Sequence, residues 1–146
     1  SEARALARAA LARNPTSVIA LRTLAMAFDA DGRRAEATQM FARAQQLSRR
    51  DQPTQLWLIS DSVRRADFED AIRNFDIALR TSRRCWDLII PIVVGATEVS
   101  RIIAPLERRL AREPEWKLSF FQALVTLGPR LDQRPRPPTR RRRRRT

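Results

Sequence analysis

Along the first eighty residues, apolar and small side chains recur three and four positions apart, and the recurrence breaks at regular intervals. Ile19, Leu21, Leu24, Ala25 and Phe28 form the stripe of one amphipathic helix. Asp31-Gly32 interrupts it with turn chemistry. Ala37, Met40, Phe41, Ala44 and Leu47 then form a second stripe. Residues 18–51 therefore predict a unit of helix, short turn and helix. Residues 52–85 predict another. Leu56, Leu58, Ile59 and Val63 lead to a break at Ala66-Asp67, followed by Phe68, Ala71, Ile72, Phe75, Ala78 and Leu79. Asp67, with Asp70 three residues on, suits a helix start, because acidic groups favour the positive end of a helix.

The two units share a register of 34 residues. Ala3, Ala37 and Ala71 are one period apart, as are Ala10, Ala44 and Ala78. Phe41 repeats as Phe75, and Leu24 as Leu58. A fixed period of this length marks stacked supersecondary units. The alanines let helix axes approach to roughly 8–10 Å, while Leu24, Phe28 and Phe41 fill the space between. Residues 1–17 carry the end of a preceding unit, a partial repeat, so the sequence is expected to be a fragment or a processed chain. Ala5, Leu6, Ala9 and Leu11 are expected to meet a neighbour.

The strict period fails after Arg84, but helical spacing continues over 86–129, which predicts degenerate helical pairs. The dense apolar run from Trp86 to Val94 is too short to span a bilayer, which needs about 20 residues, and predicts a buried helix. Pro91 should kink it, and Pro105 should kink or restart the next, which carries Ile102, Ile103, Leu106 and Leu110. A last helix is expected from Pro114-Glu115, with Trp116, Phe120, Ala123, Leu124 and Leu127 on its face and Gly128-Pro129 as its stop.

Leu21, Leu24-Ala25, Phe28, Gly32, Ala37, Phe41 and Ala44 together resemble the tetratricopeptide repeat, a 34-residue helix-turn-helix. The second unit keeps Leu58, Ala71, Phe75 and Ala78, and departs at Gln55 and Ser62, where larger apolar residues are usual. The resemblance covers residues 1–85 and weakens towards residue 127. Trp57-Leu58-Ile59, the segment Phe75 to Arg80, and Pro114 to Trp116 are similar to a bacterial type of these proteins. The resemblance implies an all-α fold, a right-handed superhelix of antiparallel helix pairs with about eight helices in roughly four pairs. It also implies a bacterial protein, cytoplasmic or associated with the inner membrane, since such members often carry an amino-terminal membrane segment.

Composition narrows the chemistry. There is no histidine, the commonest general base and metal ligand, and Cys85 is the only cysteine. No glycine-rich phosphate loop exists among the three glycines, Gly32, Gly95 and Gly128. Neither metal, cofactor nor small-molecule substrate is expected, and no catalysis. Asp67, Glu69, Asp70 and Asp76 could serve a carboxylate enzyme, but Glu69 to Arg73 and Asp76 to Arg80 are helix-stabilising spacings.

The chain carries +13, and arginine outnumbers lysine 28 to 1. Residues 130–146 hold +8 of that charge and read as a disordered Pro/Arg-rich tail. Its run Arg140, Arg141, Arg142, Arg143, Arg144 and Arg145 would contact nucleic-acid phosphates or another anionic surface without reading sequence. An inert tail, or out-of-frame reading of GC-rich DNA, gives the same composition.

In the resembled family the first helix of each repeat lines a concave groove. Carried onto this register, that face comprises Ile19, Arg22, Thr23, Met26 and Asp29, then Leu56, Trp57, Ser60, Val63 and Arg64. The expected partner is a peptide or helix of another protein, with Trp57 as the anchor. The competing reading packs Trp57 against the helix from Trp86 to Val94. The Lys and Asn set with which some family members hold carboxyl termini is lacking.

Overall fold

The computed structural model describes residues 2–131, and within them the chain forms eight α-helices and no strand. The helices are α1 (Glu2–Arg13), α2 (Val18–Ala30), α3 (Arg34–Leu47), α4 (Gln52–Arg64), α5 (Phe68–Thr81), α6 (Trp86–Ala96), α7 (Ser100–Leu110) and α8 (Lys117–Leu131). A 3-10 turn, Arg83–Cys85, leads into α6. The tail arginines Arg140 to Arg145 lie outside the described residues.

Two turns 34 residues apart close in the same way. Gly32, at φ +74°, closes α2, with Arg33 N–H donating to the Phe28 carbonyl and Gly32 N–H to that of Asp29. One period on, Ala66 adopts φ 56°, Asp67 N–H donates to the Ser62 carbonyl and Ala66 N–H to that of Val63. Both are left-handed helix stops with the same pair of closing bonds. Side-chain caps start α2, α4 and α5, where Ser17 accepts from Ala20 N–H, Asp51 from Thr54 N–H and Asp67 from Asp70 N–H; α3 starts after Arg33 without one. Connections this short turn each helix back along its predecessor.

The small residues are where close packing needs them. Ala25, Ala37, Ala44 and Ala71 are fully buried. One apolar cluster joins α1 to α4 through Ala7, Leu24, Phe28, Phe41 and Leu58. A second joins α4 to α8 through Ile72, Phe75, Leu79, Ile89, Val93, Ile102, Leu106, Trp116 and Phe120. On α1, Ala7 occupies the register position of Phe41 and is buried, and Leu11 packs beside it; Ala5, Leu6 and Ala9 are exposed.

Gln55 and Ser62 hold the register positions of Leu21 and Phe28 and are just as buried. Their polar atoms are matched inside the core. Gln45 Nε2 donates to Gln55 Oε1 at 2.8 Å and to Asn74 Oδ1 at 3.0 Å. Asn74 Nδ2 donates to Ser62 Oγ at 3.2 Å, and Gln55 Nε2 to the Arg49 carbonyl at 3.1 Å. Such a network stabilises only when every member is satisfied, because each orphaned group costs about 1–3 kcal/mol.

Several local expectations are corrected. Beyond α5 the helices do not pair in simple succession: α7 packs against α5, and α6 against α8. α7 runs through Pro105 without a restart, and α6 likewise continues through Pro91. The last helix starts at Lys117, after Trp116, and runs through Gly128-Pro129 to Leu131 instead of stopping there. A proline at 129 frees the carbonyl of Val125, and Val125 is 78% exposed, so water can take that bond.

Candidate functional site

Trp57 projects from α4 towards α2 and α3. Its ring stacks on Phe41, with centroids 4.3 Å apart and an interplanar angle of 23°. Its indole N–H donates to Asp29 Oδ2 at 2.9 Å. The Arg34 guanidinium lies over the same ring, 5.7 Å from its centroid. Trp57 therefore belongs to the first apolar cluster, and the expected alternative contact with the helix from Trp86 to Val94 is replaced by the contact with Phe41. The ring remains half-buried.

Around this ring lies a groove of about 450 Å³. Met26 and Asp29 line it from α2, Arg34 and Phe41 from α3, and Pro53, Leu56, Trp57 and Ser60 from α4. Of the residues expected from the register, it gathers Met26, Leu56, Trp57 and Ser60 together with Asp29. Met26 is 55% exposed, and Ser60 is exposed at the rim.

The other five expected residues do not line this groove. Arg22 reaches Asp51 Oδ1 at 2.6 Å and braces α2 against the cap of α4. Thr23 donates its hydroxyl to the Ile19 carbonyl, and Ile19 stands 66% exposed at the start of α2. Val63 lies exposed near the end of α4, and Arg64 pairs with Asp61. These residues share the helix face, but the groove opens along only part of it.

Arg34 and Phe41 were not foreseen, because the register assigns α3 to the outer layer. They stand seven residues apart, on one face of α3, and that spacing was the available signal. Two carboxylates hold the arginines at and beside the groove: Asp29 lines it, and Asp61 lies outside its lining. Asp61, only 2% exposed, accepts from Arg34 Nε at 3.3 Å and Arg65 Nε at 2.9 Å, and also binds Arg64. The hydrogen bond to Asp61 raises the Arg65 pKa above its ordinary value, and burial opposes this. Asp29 Oδ1 is buried and makes no hydrogen bond; it lies 3.3 Å from Arg34 Nη1, an ion pair without hydrogen-bond alignment. The Arg34 side chain remains 47% exposed at the edge of the groove, so its guanidinium is open to a bound carboxylate.

The acidic cluster on α5 is dispersed among structural contacts. Asp67 caps the helix, and Asp70 binds Arg65, Arg73 and the Ser62 hydroxyl. Asp76 is buried against Arg80, Arg109 and Trp116. Glu69 pairs with Arg108 of α7 and not with Arg73, because α7 lies across α5 and Arg73 is taken by Asp70. Among the described residues no group of three or more Asp, Glu or Cys side chains is placed to hold a metal ion, and no helix is long and apolar enough to cross a membrane. Comparisons of the chain with protein-family models, with curated proteins and with solved structures give no match.

Proposed function

We propose that this chain is a non-catalytic interaction module of the tetratricopeptide type, a right-handed superhelix of antiparallel helix pairs that holds a peptide or helix of a partner protein in its groove. The observation that carries this reading is the groove of about 450 Å³ between α2, α3 and α4, floored by the stacked Trp57 and Phe41. Large aromatic and arginine side chains dominate binding energy at protein interfaces, and this groove presents both. Met26 and Leu56 supply apolar contact, Ser60 a hydroxyl, and Arg34 a guanidinium at the edge. The repeat register, with the same turn geometry at Gly32 and Ala66, supports the superhelical reading of the first five helices.

The test is a pull-down from native lysate with three full-length baits. One is the natural chain, one carries Met26→Asp and Ser60→Arg, and one has Arg140 to Arg145 changed to serine. Met26 and Ser60 are exposed, so their replacement blocks the groove and spares the core. Partners retained by the serine-tail bait and lost by the groove variant support the reading. Partners lost only with the tail arginines, and displaced by salt, would assign binding to the tail instead.

A further inference from the structure

The sequence Ser-Arg-Arg occurs twice, one 34-residue period apart, as Ser48-Arg49-Arg50 and Ser82-Arg83-Arg84. Both copies follow the second helix of a unit. The two serines have nearly the same backbone, φ −149° and ψ 108° at Ser48, and φ −153° and ψ 112° at Ser82. The copies lie side by side: Thr81 Oγ1 donates to the Arg49 carbonyl at 3.0 Å, and Arg49, Arg50, Thr81 and Ser82 surround one small cavity of about 10 Å³. The edge is thus closed, a surface with no cleft.

All four arginines are exposed. Many arginines in this protein have a carboxylate partner, yet among the described residues Arg49, Arg50 and Arg84 have none. Arg83 meets Glu115 at 3.5 Å with both side chains 79% exposed, a pair that salt and water weaken. Even with Asp87 counted against them, the four arginines leave this edge strongly positive.

Apolar groups adjoin the charges. Arg83 covers the half-buried ring of Trp86, whose N–H is already given to the Leu79 carbonyl at 2.7 Å. Four and eight residues beyond Arg84, Leu88 and Ile92 stand 47% and 41% exposed on one stripe of α6. A nucleic-acid backbone gains nothing from Leu88 and Ile92, and the engaged Trp86 is a poor platform for a base. A lipid interface uses both elements, because guanidinium groups meet anionic headgroups while apolar side chains enter the acyl boundary.

We infer that the edge formed by Arg49, Arg50, Arg83 and Arg84, with Leu88 and Ile92 beside it, docks this protein on an anionic membrane surface. This edge and the Trp57 groove share no lining residue.

The experiment is vesicle co-sedimentation of the full chain, with phosphatidylcholine alone or mixed with phosphatidylglycerol, and anisotropy of a duplex oligonucleotide as the competing arm. A full-length version with Arg140 to Arg145 changed to serine separates the edge from the tail. It should still bind the phosphatidylglycerol vesicles, at low salt only, and bind phosphatidylcholine far more weakly. Each arginine near such a surface contributes about a fivefold factor. Arg49→Gln/Arg50→Gln and Arg83→Gln/Arg84→Gln should each weaken vesicle binding about 25-fold, and all four together about 600-fold. Leu88→Ser/Ile92→Ser should weaken vesicle binding without changing oligonucleotide binding. Circular dichroism checks that the variants stay helical, and the two separate arginine pairs keep the test valid if the fourfold change unfolds the chain. Vesicle binding unchanged by both arginine pairs, or lost with the tail arginines alone, overturns the proposal. So does stronger binding to the oligonucleotide than to the vesicles with no effect of Leu88 and Ile92.

Discussion

The indole N–H of Trp57 on α4 donates to Asp29 Oδ2 on α2 at 2.9 Å, while the face of the same ring stacks on Phe41 of α3. One side chain thereby fixes three helices around the groove. Trp57→Phe keeps a ring against Phe41 and loses the hydrogen bond, and should cost about 1 kcal/mol. Trp57→Ala removes both and opens a void, and should cost about 3 kcal/mol. Urea unfolding at 25 °C measures both. Equal losses in the two variants would mean that the stack contributes nothing.

Ala66 sits where the register elsewhere places Gly32, and both have positive φ. A Cβ in the left-handed region is strained, and glycine is not. Ala66→Gly should therefore stabilise the protein by about 0.5–1 kcal/mol, and Gly32→Ala should destabilise it by a similar amount. No atom lies within 4 Å of a Cβ built on Gly32, so the second effect is conformational and not a clash. Opposite shifts of the melting temperature in the two variants are the expected outcome.

Two buried carboxylates should respond unequally to removal. Asp76 Oδ1 accepts from the indole of Trp116 at 3.0 Å and from Arg80 at 2.9 Å, and Arg109 lies 3.3 Å from Oδ2. Asp76→Ala leaves the N–H of the fully buried Trp116 without a partner, and should cost about 2–4 kcal/mol. Asp61→Ala returns three half-exposed arginines to water, and should cost about 1 kcal/mol. Denaturant midpoints compared at equal slope give the ranking, and the reverse order would contradict it.

The polar network of the core predicts non-additivity. Asn74→Leu alone leaves one Gln45 Nε2 hydrogen without its acceptor, while Gln45 keeps Gln55 and the Ser62 hydroxyl keeps Asp70, and should cost about 1–2 kcal/mol. Gln45→Leu added to it removes one orphan, so the double variant should lose less than the sum by at least about 0.5 kcal/mol. A double-mutant cycle reads the difference directly. Strict additivity would show that Gln45 and Asn74 do not interact.

The helices of the first five elements were legible because their stripes, turns and alanines repeat in one register. The burial of Gln55 and Ser62 was not, since each is satisfied by residues 8 to 19 positions away, on α3 and α5, that only the fold brings near. The same limit hid the crossing of α7 over α5. Ile102, Leu106 and Arg109 show a helical face but not the helix it meets, and the Asp76 contact to Trp116 spans 40 residues. Five of the ten residues expected on the groove face come together, because helix periodicity fixes the direction of a side chain but not where along the helix a groove opens. Arg34 and Phe41 complete the groove from the layer that the register left outside.

The groove claim is tested most directly by a photo-crosslinking amino acid placed at Ser60, at Met26 and, as a control, at Arg43 on an exposed position of α3. Each full-length protein is irradiated with the partner captured by the natural chain. Crosslinks to one segment of that partner from Ser60 and Met26, and none from Arg43, are predicted. Crosslinking from Arg43 with none from Ser60 or Met26 would contradict the account.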